Sequence, residues 1–249
     1  MALQAVHPPA SSWRELLQHA LAEDIGSGDL TSHLTLPADL EVEAALLARS
    51  EMVVCGLQLA ANAFSEVDSR IRFTAALEEG AIASCDAPLA VVSGPARGIL
   101  AAERTALNFL ARMSGVATTT RDFVQRVAGT GAEIVDTRKT LPGWRDLDKY
   151  ATAVGGAVNH RVGLFDGILL KDNHIAVAGG VTLAVKAALA NAPAGLRVQV
   201  EVESLEAAQA AIEAGSDFLL LDNQTPDQAR ALVEALDGRA TLEISGGVG

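Results

Sequence analysis

Hydrophobic and polar residues alternate in two different ways along this chain, and the change comes near residue 114. In the first part helical and strand periods are mixed. Trp13, Leu16, Leu17 and Ala20 share one face of a helix predicted over 13–22, with Gly26 placed to stop it. Over 41–49, Glu41 and Glu43 alternate with Val42, Ala44 and Leu46, the period of a strand with one wet face. The pattern returns over 70–77, where Ile71, Phe73, Ala75 and Leu77 oppose Arg70, Arg72 and Thr74. A third strand is predicted over 89–93 and a helix over 57–67, so this part reads as an α+β sandwich. A strong helix follows over 98–113, with Ile99, Ala102, Ala106, Phe109, Leu110 and Met113 as its apolar stripe. Arg104, Asn108 and Arg112 recur on its polar face, a spacing that by itself also suits an ordinary solvated surface.

From Ser114 onward strands and helices alternate regularly. Strands are predicted over 132–136, 167–171, 196–202, 217–222 and 241–245, and helices over 143–155, 181–191, 205–214 and 226–236. Ile134-Val135, Ile168-Leu169-Leu170 and Phe218-Leu219-Leu220-Leu221 are continuous apolar runs, as expected where helices cover a parallel sheet. The expected fold class is therefore α/β, with an N-terminal α+β sandwich domain over 1–113 followed by an incomplete, open parallel (β/α) barrel over 114–249. A complete eightfold barrel takes about 250 residues, far more than the second part has.

Composition narrows the function classes. A chain of 249 residues with 49% hydrophobic and 20% charged content has ample apolar mass for a core, which excludes disorder. The formal net charge of −12 argues against a nucleic-acid or acidic-membrane binder, so an anionic ligand needs a local basic pocket. The apolar stretch over 176–192 is interrupted by Thr182 and Lys186, too soon for a membrane span. Residues 1–12 lack the basic start and apolar core of a secretory signal, so a soluble cytoplasmic protein is expected. Cys55 and Cys85 lack metal or redox spacing and read as reduced thiols.

Candidate chemistry collects where the predicted strands end. The endings are Asp136-Thr137-Arg138-Lys139, Lys171-Asp172-Asn173-His174, Glu201 to Glu203, Asp222-Asn223 and Ser245-Gly246-Gly247. In a β/α barrel such ends converge on one rim, where sites are built. Between Asp136 and His174 there are six Lys or Arg against five Asp or Glu, whereas the rest of the chain has thirteen against twenty-six. That local balance predicts an anion pocket, in which arginine forks and lysine point charges take carboxylates or phosphates. Surface pairs of Arg145 with Asp148, or of Lys149 with Asp146, are a plainer account of part of the cluster. Ser245-Gly246-Gly247 would let backbone N–H groups approach a phosphate, although a glycine pair alone is a weak signal. Glu201 and Asp222 suit Mg²⁺, ribose hydroxyls or a developing cation. His160 and His174 have no ligand-like spacing, and the GxG of Gly26-Ser27-Gly28 follows a helix rather than a strand, against a dinucleotide site.

The blocks Asp136-Thr137-Arg138-Lys139-Thr140, Pro142-Gly143, Asn159-His160-Arg161, Gly163-Leu164 and Lys171-Asp172-Asn173-His174-Ile175 closely resemble the quinolinate phosphoribosyltransferases. The likeness extends to Glu23 to Thr31, Glu103 to Asn108, Val200-Glu201-Val202, Leu221-Asp222-Asn223 and Ser245-Gly246-Gly247. It implies an enzyme, a pentosyltransferase of de novo NAD biosynthesis. Quinolinate and phosphoribosyl pyrophosphate would give nicotinate mononucleotide, pyrophosphate and CO2, with Mg²⁺ on the diphosphate. By resemblance, Arg138, Lys139, His160 and Arg161 line the dicarboxylate pocket, joined by Arg104 from a neighbouring subunit of a homodimer or dimer-based hexamer. Thr137 belongs to the substrate-binding block, Lys171 lies near the reacting centre and diphosphate, and Ser245, Gly246 and Gly247 hold the 5′-phosphate. Lys139, Glu201 and Asp222 are the expected catalytic groups, the last two also the expected Mg²⁺ ligands.

The family continues beyond the point matching Gly249 with a helix, a further phosphate-contacting strand and a return to the N-terminal domain, so an open barrel is expected here. Two other readings remain open at this point. One is a related phosphoribosyltransferase with another acceptor, such as nicotinate, or a molybdenum-transport-associated paralogue. The other is a catalytically silent subunit or interaction module.

Overall fold

A computed structural model describes residues 6–247. The chain divides into two compact units, Met1–His160 and Arg161–Gly249. Among the described residues no helix is long and apolar enough to cross a membrane.

The first unit runs through α1 (Arg14–Ile25), α2 (Leu30–Thr35), β1 (Glu41–Leu47), β2 (Met52–Val53), α3 (Leu57–Val67), β3 (Arg72–Ala75), β4 (Ile82–Ala83), β5 (Pro88–Pro95), α4 (Ala96–Arg126) and α5 (Arg145–Val154). β5 lies between β1 and β3 in an antiparallel sheet, so Ser93 stands opposite both Glu43 and Arg72, and β2 pairs with β4. Trp13, Leu17, Leu59, Phe64, Phe109 and Met113 are among the side chains that close the core. The α3 N-terminus is satisfied by Glu79, whose carboxylate accepts from the Gly56 and Leu57 N–H groups at 2.7 to 3.0 Å.

Helix α4 has the predicted stripe, with Ile99, Ala102, Ala106, Phe109, Leu110 and Met113 all buried, but it runs unbroken past Met113 to Arg126. Its second half packs against α5 and the turn that follows. Gly155 is what permits that approach, since a Cβ there would meet the Ala117 carbonyl oxygen at 2.5 Å and Thr120 Cβ at 2.6 Å.

The second unit contains β6 (Ile168–Leu170), α6 (Asp172–Val177), α7 (Val181–Asn191), β7 (Val198–Val202), α8 (Leu205–Glu213), β8 (Phe218–Asp222), α9 (Pro226–Leu236) and β9 (Thr241–Ser245). Its four strands are parallel in the order β6-β7-β8-β9, and the sheet is open. Val198, Val200, Val202, Leu219 and Leu221 point into a core shared with Val185, Ala208, Ala211, Leu232 and Leu236 of the helices. Two of the connections carry local caps. Ser204 caps α8 through the Ala207 N–H at 3.2 Å, and Thr225 with Gln228 closes a capping box on α9 behind Pro226.

One predicted strand differs. Residues 132–136 form only an isolated parallel bridge, Val135 to Val158, framed by Val158 N–H to Ile134 C=O at 2.8 Å and Asp136 N–H to Val158 C=O at 3.1 Å. Ile134 and Val135 stay half-buried, without the cover on both faces that the apolar run anticipates.

Candidate active site

In the first unit the polar block is organised around Asp136, which follows the bridge. Its Oδ1 accepts from Lys149 Nζ at 2.6 Å and from the His160 N–H at 2.7 Å. Its Oδ2 accepts from Asn159 Nδ2 at 2.7 Å and Thr152 Oγ1 at 3.2 Å. Lys149 stands on the buried face of α5 beside Leu147, Tyr150 and Ala151, and both side chains of its ion pair with Asp136 are only 5% exposed. A carboxylate so deeply placed needs this full set of donors.

The residues just after Asp136 turn outward. Thr137 Oγ1 accepts from the Lys139 N–H at 3.0 Å, which fixes the turn and leaves the Lys139 side chain exposed. The Arg138 carbonyl accepts from Arg145 Nη2 at 3.2 Å. Among the described residues Arg104, Arg138 and Lys139 form no ion pair, so their charges are open to a ligand. Lys139, Thr137 and Asp136 border a cleft of about 1000 Å³ whose other wall is the α4 face at Arg112, Val116 and Phe123. Arg112 is committed to structure, bonding Asp148 at 2.9 and 3.1 Å and lying 5.2 Å from the Trp144 ring centre. Arg104 is exposed on the same helix.

In the second unit the parallel register places chemistry on one face. Leu220 of β8 stands between Glu201 and Glu243, two positions before the row in which Asp222 pairs with Ser245. Because Val200 and Val202 face the helices, Glu201, Asp222 and Ser245 lie on the opposite face at the C-terminal strand ends. Lys171, the cap of α6 just past β6, reaches Glu201 with Nζ to Oε2 at 2.9 Å. Ser245 Oγ donates to Asp222 Oδ1 at 3.2 Å, and Asn223 Nδ2 donates to Asp222 Oδ2 at 2.7 Å. Gly246 adopts φ 81°, and a Cβ there would collide with the Asn223 side chain. The turn thus brings bare backbone to the strand end. Arg161 Nη1 donates to the Gly167 carbonyl at 3.0 Å, and Asp166 ties the turn between them through the Val162 and Gly163 N–H groups at 2.7 and 2.8 Å.

Residues 29–114 match the family model described as Quinolinate phosphoribosyl transferase, N-terminal domain, and residues 116–249 match its C-terminal domain. The chain belongs to the quinolinate phosphoribosyltransferase family. The nicotinate-nucleotide pyrophosphorylase (carboxylating) of Mycobacterium leprae is 44% identical over 241 residues, covering 94% of this chain and 84% of that protein. The chloroplastic enzyme of the same name from Arabidopsis thaliana is 37% identical over 267 residues, covering 100% of this chain and 76% of that protein. The solved nicotinate-nucleotide pyrophosphorylase of Francisella tularensis superposes with a TM-score of 0.92 at 36% identity, covering 100% of this chain and 88% of that one.

For a quinolinate phosphoribosyltransferase, the residues singled out in the sequence fall into two groups. Thr137, Arg138, Lys139 and His160 gather around the Asp136 turn of the first unit, with Arg104 on α4. Lys171, Glu201, Asp222, Ser245, Gly246 and Gly247 gather along the strand ends of the second, with Arg161 at its start. The sequence reasoning missed the hub itself. Lys149 pairs with Asp136 rather than Asp146, and Asp148 is held by Arg112 rather than Arg145. The one available signal was a lysine on the apolar face of a helix, an unusual place for an unpaired charge. Among the described residues no three His, Cys, Asp or Glu side chains group as a metal cage. The donor set of Glu201 and Asp222 nevertheless fits Mg²⁺, which is commonly held by one or two carboxylates plus substrate phosphates.

Proposed function

We propose that the chain transfers the phosphoribosyl group of phosphoribosyl pyrophosphate to the ring nitrogen of quinolinate, releasing pyrophosphate and CO2 and leaving nicotinate mononucleotide. The observation that carries this reading is the gathering of Lys171, Glu201, Asp222 and Ser245 at adjacent C-terminal strand ends in a chain of this family. Both substrates are strongly anionic, and a chain of net charge −12 that leaves Arg138 and Lys139 unpaired has a place to receive them.

In this reading Arg138, Lys139, His160 and Arg161 take the two carboxylates of quinolinate, with Thr137 ordering the turn. Arg104 completes the pocket of a partner subunit in a homodimer or dimer-based hexamer. Ser245 and the backbone of Gly246 and Gly247 hold the 5′-phosphate, and Lys171 faces the diphosphate. Glu201 and Asp222 would hold Mg²⁺, which would neutralise charge on the leaving diphosphate. As the C1′–oxygen bond breaks, positive charge grows on the ribose and the ring nitrogen bonds C1′. Carboxylates on that face stabilise charge absent from the ground state, which lowers the barrier rather than merely tightening binding. The carbon–carbon bond to the 2-carboxylate then breaks, CO2 departs, and the electron pair left on the ring carbon takes a proton. The compartment proposed is the cytoplasm.

The test is pyrophosphate release by the native protein given phosphoribosyl pyrophosphate and Mg²⁺ with either quinolinate or nicotinate. Release with quinolinate supports the reading. Release with nicotinate alone favours the other-acceptor enzyme, and release with neither favours a silent subunit.

A further inference from the structure

We propose that Asp136 and Lys149 are positioning residues for His160, gripping its backbone through the N–H and the C=O. Asp136 Oδ1 accepts the His160 N–H at 2.7 Å, and Lys149 Nζ donates to the His160 carbonyl at 2.9 Å. The two gripping groups are locked together at 2.6 Å with 5% of each side chain exposed. The preceding residue is pinned as well, because Asn159 Nδ2 donates to Asp136 Oδ2 at 2.7 Å and to the Lys149 carbonyl at 2.9 Å. Thr152 Oγ1, one turn along α5, closes the set on Asp136 Oδ2 at 3.2 Å. The backbone at 159–160 is therefore tied to α5 and to the residue that begins the Asp136-Thr137-Arg138-Lys139 turn, so the two substrate-facing segments share one anchor.

Stability alone is a poor account of this arrangement, since a buried ion pair is often no better than a well-packed apolar substitute. Its distinctive output is geometric. A buried charge pair that holds both the N–H and the C=O of one residue fixes the two peptide groups flanking it, and ligand contacts need placement within about 0.5 Å. The inference rests on the reading of His160 as a dicarboxylate contact.

Two variants of the native chain test it, Lys149→Met and the charge-balanced Asp136→Asn/Lys149→Met, the second keeping the protein folded if the first leaves an intolerable buried carboxylate. Steady-state kinetics are read with each substrate varied in turn, alongside hydrogen exchange of the His160 amide. Loss of the grip should raise KM for quinolinate by about ten- to a hundredfold while KM for phosphoribosyl pyrophosphate moves by less than about twofold, the scale expected of a displaced contact group. The His160 amide should exchange faster in the same variants. A folded variant with unchanged quinolinate KM, or one that loses only kcat, overturns the proposal. If the native chain does not use quinolinate, the functional reading fails separately. The grip is then decided by the amide alone, with faster exchange upholding it and unchanged exchange overturning it.

Discussion

In the first unit the Asp136–Lys149 pair leaves each side chain 5% exposed, whereas in the second the Lys171–Glu201 pair leaves its lysine 47% exposed at a similar N–O distance. The same kind of pair, a carboxylate with a lysine, thus does different work. The buried pair has no water to fall back on, so neither partner can leave it without a large cost. In the second pair Glu201 is only 11% exposed but the lysine is half in water, so Lys171 can turn from Glu201 to an anionic ligand as one arrives. Burial separates a charge pair fixed in the fold from one whose lysine can still exchange partners.

Stability should separate the two pairs most strongly. Lys149→Met should destabilise the first unit by about 3–5 kcal/mol, because Asp136 is left buried without its counter-charge. Both tryptophans, Trp13 and Trp144, lie in that unit, so denaturant titration followed by their fluorescence reports it alone. A loss no larger than that of a surface substitution would erase the distinction. Next, Lys139→Ala should cut turnover at least about a hundredfold, as removal of one transition-state charge partner can. Lys171→Ala should likewise lower turnover while costing less stability than Lys149→Met, because the Lys171 side chain is already half in water. Wild-type kinetics in both would return these lysines to the solvated surface.

A smaller effect concerns pH. Burial, and then the charge of Glu79, pushes the Cys55 thiol well above its usual 9.0, and the same two causes push the Tyr150 hydroxyl above its usual 10.0. The unfolded chain ionises these groups at their usual values while the native one keeps them protonated, so above about pH 9 the unfolded state binds fewer protons and stability falls as pH rises. The contribution is full below the unfolded values and is lost above them. Tryptophan-monitored denaturation at about pH 7 and about pH 10 checks the sign, and an unchanged midpoint would contradict it.

Much of the fold was legible because its causes are local. Helices α3 and α9 and strand β9 fall on their predicted bounds, since amphipathic period, Pro226 and the Thr225–Gln228 cap act within a few residues. Helix α4 overran its expected end because nothing at Ser114 or Gly115 outweighs the cover that Ala117 and Thr120 find. The strand over 132–136 failed for the opposite reason, since its partner around Val158 offers a single bridge. The candidate site was legible as residue types at strand ends, and Glu201, Asp222 and Ser245 share the face that strand alternation gives them. The Asp136 hub was not, because it joins residues 13, 16, 23 and 24 positions apart and no local pattern encodes such partners.

The most direct test of the central claim uses quinolinate labelled in its 2-carboxylate, supplied to the native protein with phosphoribosyl pyrophosphate and Mg²⁺. Labelled CO2 should appear in step with nicotinate mononucleotide and pyrophosphate, each in equal amount. Absence of labelled CO2 under conditions where the protein is folded, or pyrophosphate release with the label retained in the nucleotide, would contradict it.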